Sequence, residues 1–369
     1  MLHPGAALAG AVLVGAALVG AALAAPAAPF PSAGFHRGAV LSSWDGTYPD
    51  PQFYEPALDR MIARGVTWVE MLTFAEQPDL ARPEIRAEAP DRFPHAAIEA
   101  AHRRGLKVLL KPDVWSRQFY APGSTLWRGS IRYDDAALWG RWFEQYGAFI
   151  RAQAQAAAES HVEMFSVGLE YVEATRTQTA RWRALIADVR SVYKGTLTYA
   201  ADGNHELDTV QFWDALDVIG INGYFALSPV GDSPDVDTLV HAWGGPFSRL
   251  AELSRRFARP VVFTEAGFPS TTTAVRTPWK WPTGADTPDP GLQARAYESL
   301  LIACSRASFC QGLYWWKFYE RPEAGTPPAV DYTPEGKPAD AVLTRWYREG
   351  PPPSTPTPLG SSSREPGRP

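Results

Sequence analysis

Eight short apolar runs recur along this chain, and most are followed by an amphipathic stretch. They cover 38–42, 66–72, 106–111, 162–167, 196–200, 218–221, 261–264 and 312–316. Several are apolar throughout instead of alternating, which marks strands buried on both faces, as in parallel sheets. Between them, stretches such as 94–104, 135–159, 177–192, 235–257 and 293–305 space their apolar residues as helices do. Strand–helix alternation repeated eight times predicts an α/β protein built as a single (β/α)8 TIM barrel. A doubly wound open sheet is the competing arrangement. It would need a glycine-rich phosphate loop after the first strand, and Ser42-Ser43-Trp44-Asp45-Gly46 is not one.

The barrel is expected over residues 35–348. Ahead of it, 5–25 is almost entirely Ala, Leu, Val and Gly, and 22–28 offers small-residue cleavage sites. Residues 1–28 therefore read as a signal peptide or, if uncleaved, as an N-terminal anchor, although His3 stands where Lys or Arg is usual. Either places the protein outside the cytosol, secreted or on the cell envelope. Membrane association is expected only through this segment. Residues 350–369 are rich in Pro and Ser, have almost nothing to bury, and read as a disordered tail.

The net charge of −5 argues against nucleic acid as the main partner, because phosphate binding needs a basic face. Cys304 and Cys310 flank the turn between the last predicted helix and the last strand. In an exported chain the pair reads as a disulfide, with two buried thiols as the alternative. The histidines are scattered, with no paired metal spacing, and no Ser-hydrolase elbow is present. No metal and no cofactor are expected, and the chain is expected to act as a monomer.

Barrel enzymes place their chemistry at the C-terminal ends of the strands. Here those ends read Ser43-Trp44-Asp45, Thr73-Phe74, Lys111-Pro112-Asp113-Val114-Trp115, Glu170-Tyr171, Asp202-Gly203-Asn204, Asn222-Gly223-Tyr224-Phe225, Glu265 and Trp315-Trp316-Lys317. Two of the apolar strands stop at a glutamate, a poor strand former. Two carboxylates at one barrel mouth are the minimum apparatus for cutting a glycosidic bond. A retaining mechanism would place them about 5–5.5 Å apart. Of the 14 tryptophans, about half suit the core. The rest suit a cleft where flat faces stack on sugar rings. Trp44, Trp115, Trp279 and Trp281 lie at strand ends or in the long loop 268–290, which is expected to form a substrate wall.

Taken in order, several strings resemble glycoside hydrolase family 113, the β-mannanase-type barrels of clan A. They also resemble the related barrel domain of gene-transfer-agent and phage-tail proteins. The strings are Ala-His-Arg-Arg-Gly-Leu-Lys-Val-Leu-Leu-Lys-Pro (101–112), Val-Gly-Leu-Glu-Tyr (167–171) and Trp-Arg-Ala-Leu-Ile-Ala-Asp-Val-Arg (182–190). They continue with Leu-Thr-Tyr-Ala-Ala (197–201), 212–225 with its Ile-Asn-Gly-Tyr-Phe ending, Pro-Val-Val-Phe-Thr-Glu-Ala-Gly-Phe (260–268) and Gly-Leu-Tyr-Trp-Trp-Lys (312–317). The resemblance implies a retaining β-glycosidase acting on a polysaccharide or oligosaccharide, with a mannan-type substrate favoured. By position, Glu170 would be the acid/base, Glu265 the nucleophile, Tyr224 the tyrosine bonded to the nucleophile, and Trp315 the floor of the sugar subsite.

Lys111, Asp113, Asn222, Trp316 and Lys317 join the expected sugar contacts. Two positions depart from the pattern. Leu169 stands where many clan A enzymes have Asn, and Asp113 where related sequences often have His. The readings left open beside this one are a glycosidase of cell-wall amino-sugar polymers and a catalytically silent glycan-binding barrel.

Overall fold

The computed structural model describes residues 30–31, 34–43, 46–87, 92–227, 233–321 and 328–351. Residues 1–28, Trp44 and the tail from 352 onward lie outside the described residues. Eight parallel strands close into a barrel. They are β1 (His36–Ser42), β2 (Trp68–Glu76), β4 (Lys107–Trp115), β5 (Met164–Leu169), β6 (Thr196–Asp202), β7 (Ile219–Asn222), β8 (Val261–Ala266) and β9 (Cys310–Tyr319). Sheet order is β1-β9-β8-β7-β6-β5-β4-β2, and the β1–β2 pair closes the circle. A two-residue strand, β3 (Arg86–Ala87), adds antiparallel to the end of β2.

The chief difference from the sequence reading is strand length. β2, β4 and β9 run several residues beyond their apolar stretches. Leu72↔Lys111 through Glu76↔Trp115 stay in register, so Lys111 and Asp113 lie inside β4 and not after it. Polar residues are tolerated there because partners from other strands and from the loop after β4 satisfy them.

The helices are α1 (Pro51–Ala63), α2 (His95–Arg103), α3 (Ala136–Glu159), α4 (Val172–Thr177), α5 (Thr179–Val192), α6 (Val236–Ala242), α7 (Gly244–Phe257), α8 (Pro290–Ser305) and α9 (Pro338–Glu349). Aspartates accept the first free amide protons of four of them: Asp50 at α1, Asp135 at α3, Asp235 at α6 and Asp289 at α8. The larger apolar core lies between strands and helices. A smaller one fills the barrel itself: Val40, Trp68, Leu72, Leu109, Met164, Val218, Val262 and Tyr314. Among the described residues no helix is long and apolar enough to cross a membrane.

The last helix locks the ring. Tyr347 donates its hydroxyl proton between the carbonyls of Gly38 (3.1 Å) and Leu313 (2.9 Å), and Trp346 Nε1 donates to Glu298 on α8 at 2.9 Å. Cys304 at the end of α8 and Cys310 at the start of β9 are joined as a disulfide, with Cα atoms 5.5 Å apart.

Candidate active site

Period-2 alternation decides which side chains enter the barrel. On β2, Trp68 and Leu72 face inward, so Glu70 between them does too. On β4, Leu109 faces inward and carries Lys111 and Asp113 with it. These are polar groups on the floor and rim of a closed barrel, and each needs a partner.

Glu265 reaches the mouth through a register shift. Ile221 pairs with Phe263, but Asn222 pairs with Glu265, so β8 gains a residue there. Its two oxygens are both occupied. Tyr224 donates its hydroxyl to Oε2 at 2.8 Å, and Lys111 Nζ donates to Oε1. Lys111 is fully buried and also lies 2.5 Å from Oε1 of fully buried Glu70. Burial pushes the Glu70 carboxyl up to about 8, against the pull of Lys111. Burial alone would lower Lys111, but the two carboxylates outweigh it and hold the ammonium above its ordinary range. Oε2 of Glu70 has no hydrogen-bond partner among the described residues.

Glu170 sits one residue beyond β5 with φ 51°, a left-handed conformation costing roughly 1–2 kcal/mol. Neighbouring contacts hold it there. Its amide donates to the Ala200 carbonyl at 2.9 Å, and the Tyr171 amide donates to the Tyr199 hydroxyl at 2.8 Å. That hydroxyl in turn donates to buried Glu206 at 2.8 Å. Gly168 allows the approach, since a Cβ there would meet the Trp182 ring and the Tyr146 hydroxyl at 2.9 Å.

The Glu170 carboxylate accepts from Asn222 Nδ2 at 2.8 Å and from Arg128 Nη1 at 2.7 Å. Asn222 is oriented by Thr264, whose hydroxyl donates to Oδ1 at 2.9 Å. Burial pushes Glu170 up to about 7. Arg128 opposes the rise, the charges of Glu265 and Asp202 add to it, and the Asn222 hydrogen bond opposes it. A carboxyl near neutrality beside a second carboxylate held by an ammonium is the acid/base and nucleophile pattern of glycoside cleavage.

The structure therefore brings Glu170, Glu265, Lys111, Asp113, Asn222 and Tyr224 together. Asp113 does not face the cavity as a free sugar contact, because Arg128 covers it through Nε–Oδ1 (3.0 Å) and Nη2–Oδ2 (2.7 Å). Trp316 shares the inward parity of Tyr314 and packs half-buried at the barrel mouth. Lys317 is 5% exposed and bonds Ser42 Oγ at 3.2 Å. Its ammonium lies 4.5–4.9 Å from the rings of Tyr319, Trp281 and Trp316. Burial lowers it to about 8. Trp281 and Trp279 are exposed on the long loop, and Trp115 is half-buried at the end of β4.

Trp315 is a correction. It points out of the barrel, fully buried and stacked on Tyr297 of α8 with centroids 3.8 Å apart, so it cannot floor a sugar subsite. Adjacent strand residues face opposite sides, and the inward one is Trp316.

Three residues of the site escaped the sequence reading. Glu70 had a signal: a lone charge inside the apolar run Trp68-Val69-Glu70-Met71-Leu72. Glu206 and Arg128 had none. Arg128 lies in a single-turn 3-10 helix (Arg128–Ser130) between β4 and α3, far in sequence from both of its partners. Among the described residues no cluster of His, Cys, Asp and Glu could hold a metal ion.

Comparison with known proteins gives a consistent picture. A family 113 β-1,4-mannanase superposes with TM-score 0.73 at 28% identity, over 85% of this chain and 99% of its own. The β-mannanase of Alicyclobacillus acidocaldarius, solved with the ligand ManMIm, gives TM-score 0.72 at 27% identity, over 85% and 97%. A β-glucuronidase of Ruminococcus gnavus, at 12% identity and TM-score 0.59, shares the fold alone. No curated protein sequence matches the chain. The profile of Glycoside Hydrolase Family 113 matches residues 41–337, most of the chain and nearly the whole barrel, and this protein belongs to that family.

Proposed function

We propose that this hydrolase cleaves internal β-1,4 bonds of a mannan-type polysaccharide by double displacement, with Glu265 as nucleophile and Glu170 as acid/base. The observation that carries the assignment is the contrast between the two carboxyls. Lys111 and Tyr224 donate to the two oxygens of Glu265, which fixes the carboxyl group's orientation for attack. Burial holds Glu170 near 7, so that it has a proton to give at neutral pH.

In the first step a Glu265 oxygen attacks the anomeric carbon, while the Glu170 proton passes to the departing glycosidic oxygen. In the second step Glu170, now a carboxylate, takes a proton from water, and that water displaces Glu265 from the sugar. The Tyr224 hydroxyl stays on Glu265 and holds its orientation. Trp316 and the exposed Trp281 offer the flat faces on which sugar rings stack. The mannan preference rests on the named activity of the family 113 structures. Export to an oxidising compartment is part of the same reading, supported by the Cys304–Cys310 bond.

The test is release of reducing ends from mannan, glucomannan, xylan, chitin and peptidoglycan, repeated with Glu265→Ala and Glu170→Ala. Mannan or glucomannan should be cleaved best. Glu265→Ala should be rescued by azide with inverted product. Glu170→Ala should still turn over substrates with good leaving groups and yield a retained glycosyl azide. Near-native polysaccharide cleavage by either alanine variant would refute the role given to that glutamate.

A further inference from the structure

Each catalytic glutamate is backed by a cation that a second carboxylate anchors, fully buried in the one case and half-buried in the other. For Glu265 the cation is Lys111 and the anchor Glu70. For Glu170 the cation is Arg128 and the anchor Asp113. The second arrangement comes from a loop and carries an inference about the reaction cycle, resting on the roles proposed above. The geometry assigns Arg128 as a positioning residue: braced by two bonds on Asp113, it steadies the carboxylate form of Glu170 that the second half-reaction requires.

The two half-reactions ask opposite things of one side chain. The first needs Glu170 protonated, and the second needs it as a base. Burial at 7% exposure favours the neutral form. So do the charges that face it, Glu265 on β8 and Asp202 at the end of β6. Asp202 is itself paired with His205, through Oδ1 and Nδ1 at 2.8 Å. Tyr224 beyond β7 keeps its proton, since burial and the nearby carboxylates hold it far above its ordinary range. Lys111 is committed to Glu70 and Glu265. Arg128 is thus the full positive charge in contact with Glu170 among the described residues, assisted by the neutral amide of Asn222.

A guanidinium suits this task better than an ammonium. Its Nε and Nη2 hold Asp113 while Nη1, set by the same plane, reaches Glu170. Asp113 is 2% exposed and makes the brace rigid.

The experiment titrates Glu170 directly. The 13C carboxyl resonances of glutamate-labelled protein are followed against pH, with Glu170→Gln assigning the signal. The set is wild type, Arg128→Lys, Arg128→Met and the double variant Arg128→Met/Asp113→Asn. The double variant removes the buried Asp113 charge that the single one would strand, so it keeps the fold. The Glu170 midpoint should rise by about one pH unit or more in both methionine variants, since a contacting opposite charge is worth about that. Arg128→Lys should recover part of the shift.

The alkaline limb of kcat/KM should move upward by the same interval. With an aryl glycoside of good leaving group, kcat and KM should fall together as the glycosyl-enzyme accumulates. An unmoved midpoint and limb in the double variant would overturn the proposal and leave Arg128 a loop staple. The carboxyl titration needs no substrate, so it stands or fails separately from the choice of glycan.

Discussion

Replacing Lys111 with methionine is the sharpest test of how the barrel floor works. The side chain is fully buried, and its ammonium touches Glu70 and Glu265 at once. Methionine fills nearly the same volume, so the change removes charge with little loss of packing. Two carboxylates then face each other without a cation. Breaking a buried ion pair by removing one partner costs about 3–5 kcal/mol. At roughly 2–4 °C per kcal/mol for a large domain, Tm should fall by about 6–20 °C.

The loss should depend on pH with a definite sign. Burial already raises the Glu70 carboxyl to about 8 from a reference of 4.5, and losing Lys111 raises it further. A carboxyl raised in the folded state weakens the fold increasingly as pH climbs above its unfolded value. Since Glu70 stays protonated in both folded proteins up to about pH 8, the deficit against wild type should be nearly constant from pH 5 to 8 and grow above it, where the wild-type carboxyl ionises beside Lys111 and the variant's does not. Differential scanning calorimetry across that range measures it. The double variant Lys111→Met/Glu70→Leu should recover about 1–4 kcal/mol, because both buried charges on the floor are gone. Its activity should stay low, since Glu265 still lacks its ammonium. A Lys111→Met variant that melts within 2 °C of wild type at pH 8, or keeps native kcat, refutes this account of the floor.

Three further outcomes follow from the same geometry. For the wild type, kcat/KM should fall above about pH 7, as Glu170 loses the proton it must donate; a plateau extending to pH 9 would remove it as the acid. Trp315→Ala should cost about 3–5 kcal/mol in denaturant unfolding with KM nearly unchanged, whereas Trp316→Ala should depress kcat/KM with a smaller stability loss; the reverse pattern would contradict the assigned strand faces. A thiol titration of the denatured, unreduced protein should find no free thiol, and two would show that Cys304 and Cys310 are unbonded.

Much of this protein is written locally. Apolar runs such as Val261-Val262-Phe263 can only be strands buried on both faces, and eight of them between amphipathic helices leave a closed barrel as the economical arrangement. Because barrel chemistry gathers at one end, a glutamate ending a strand is visible as an anomaly before any coordinates exist. Glu170 and Glu265 were legible for that reason, and Asn222 and Tyr224 because they lie at the end of the sixth barrel strand and just beyond it. Trp315 shows how thin the margin is: one residue along β9 separates a core tryptophan from a cleft tryptophan, and alternation with Tyr314 could have chosen between them.

What the tertiary structure alone decided are the events that break local periodicity or join distant segments. The register shift opposite Asn222 turns Glu265 into the mouth, and no pattern along β8 announces it. The left-handed turn at Glu170 is held by Ala200 and Tyr199 from the next strand. Arg128 acquires its role only when the loop after β4 folds back over Asp113 and meets Glu170 at 2.7 Å. Burial along a strand is a one-dimensional signal, repeated every two residues and readable in the chain. The protonation state of a buried carboxyl depends on which charges surround it in space, and those charges come from strands β2, β4, β6 and β8 and from a loop, brought together only by barrel closure.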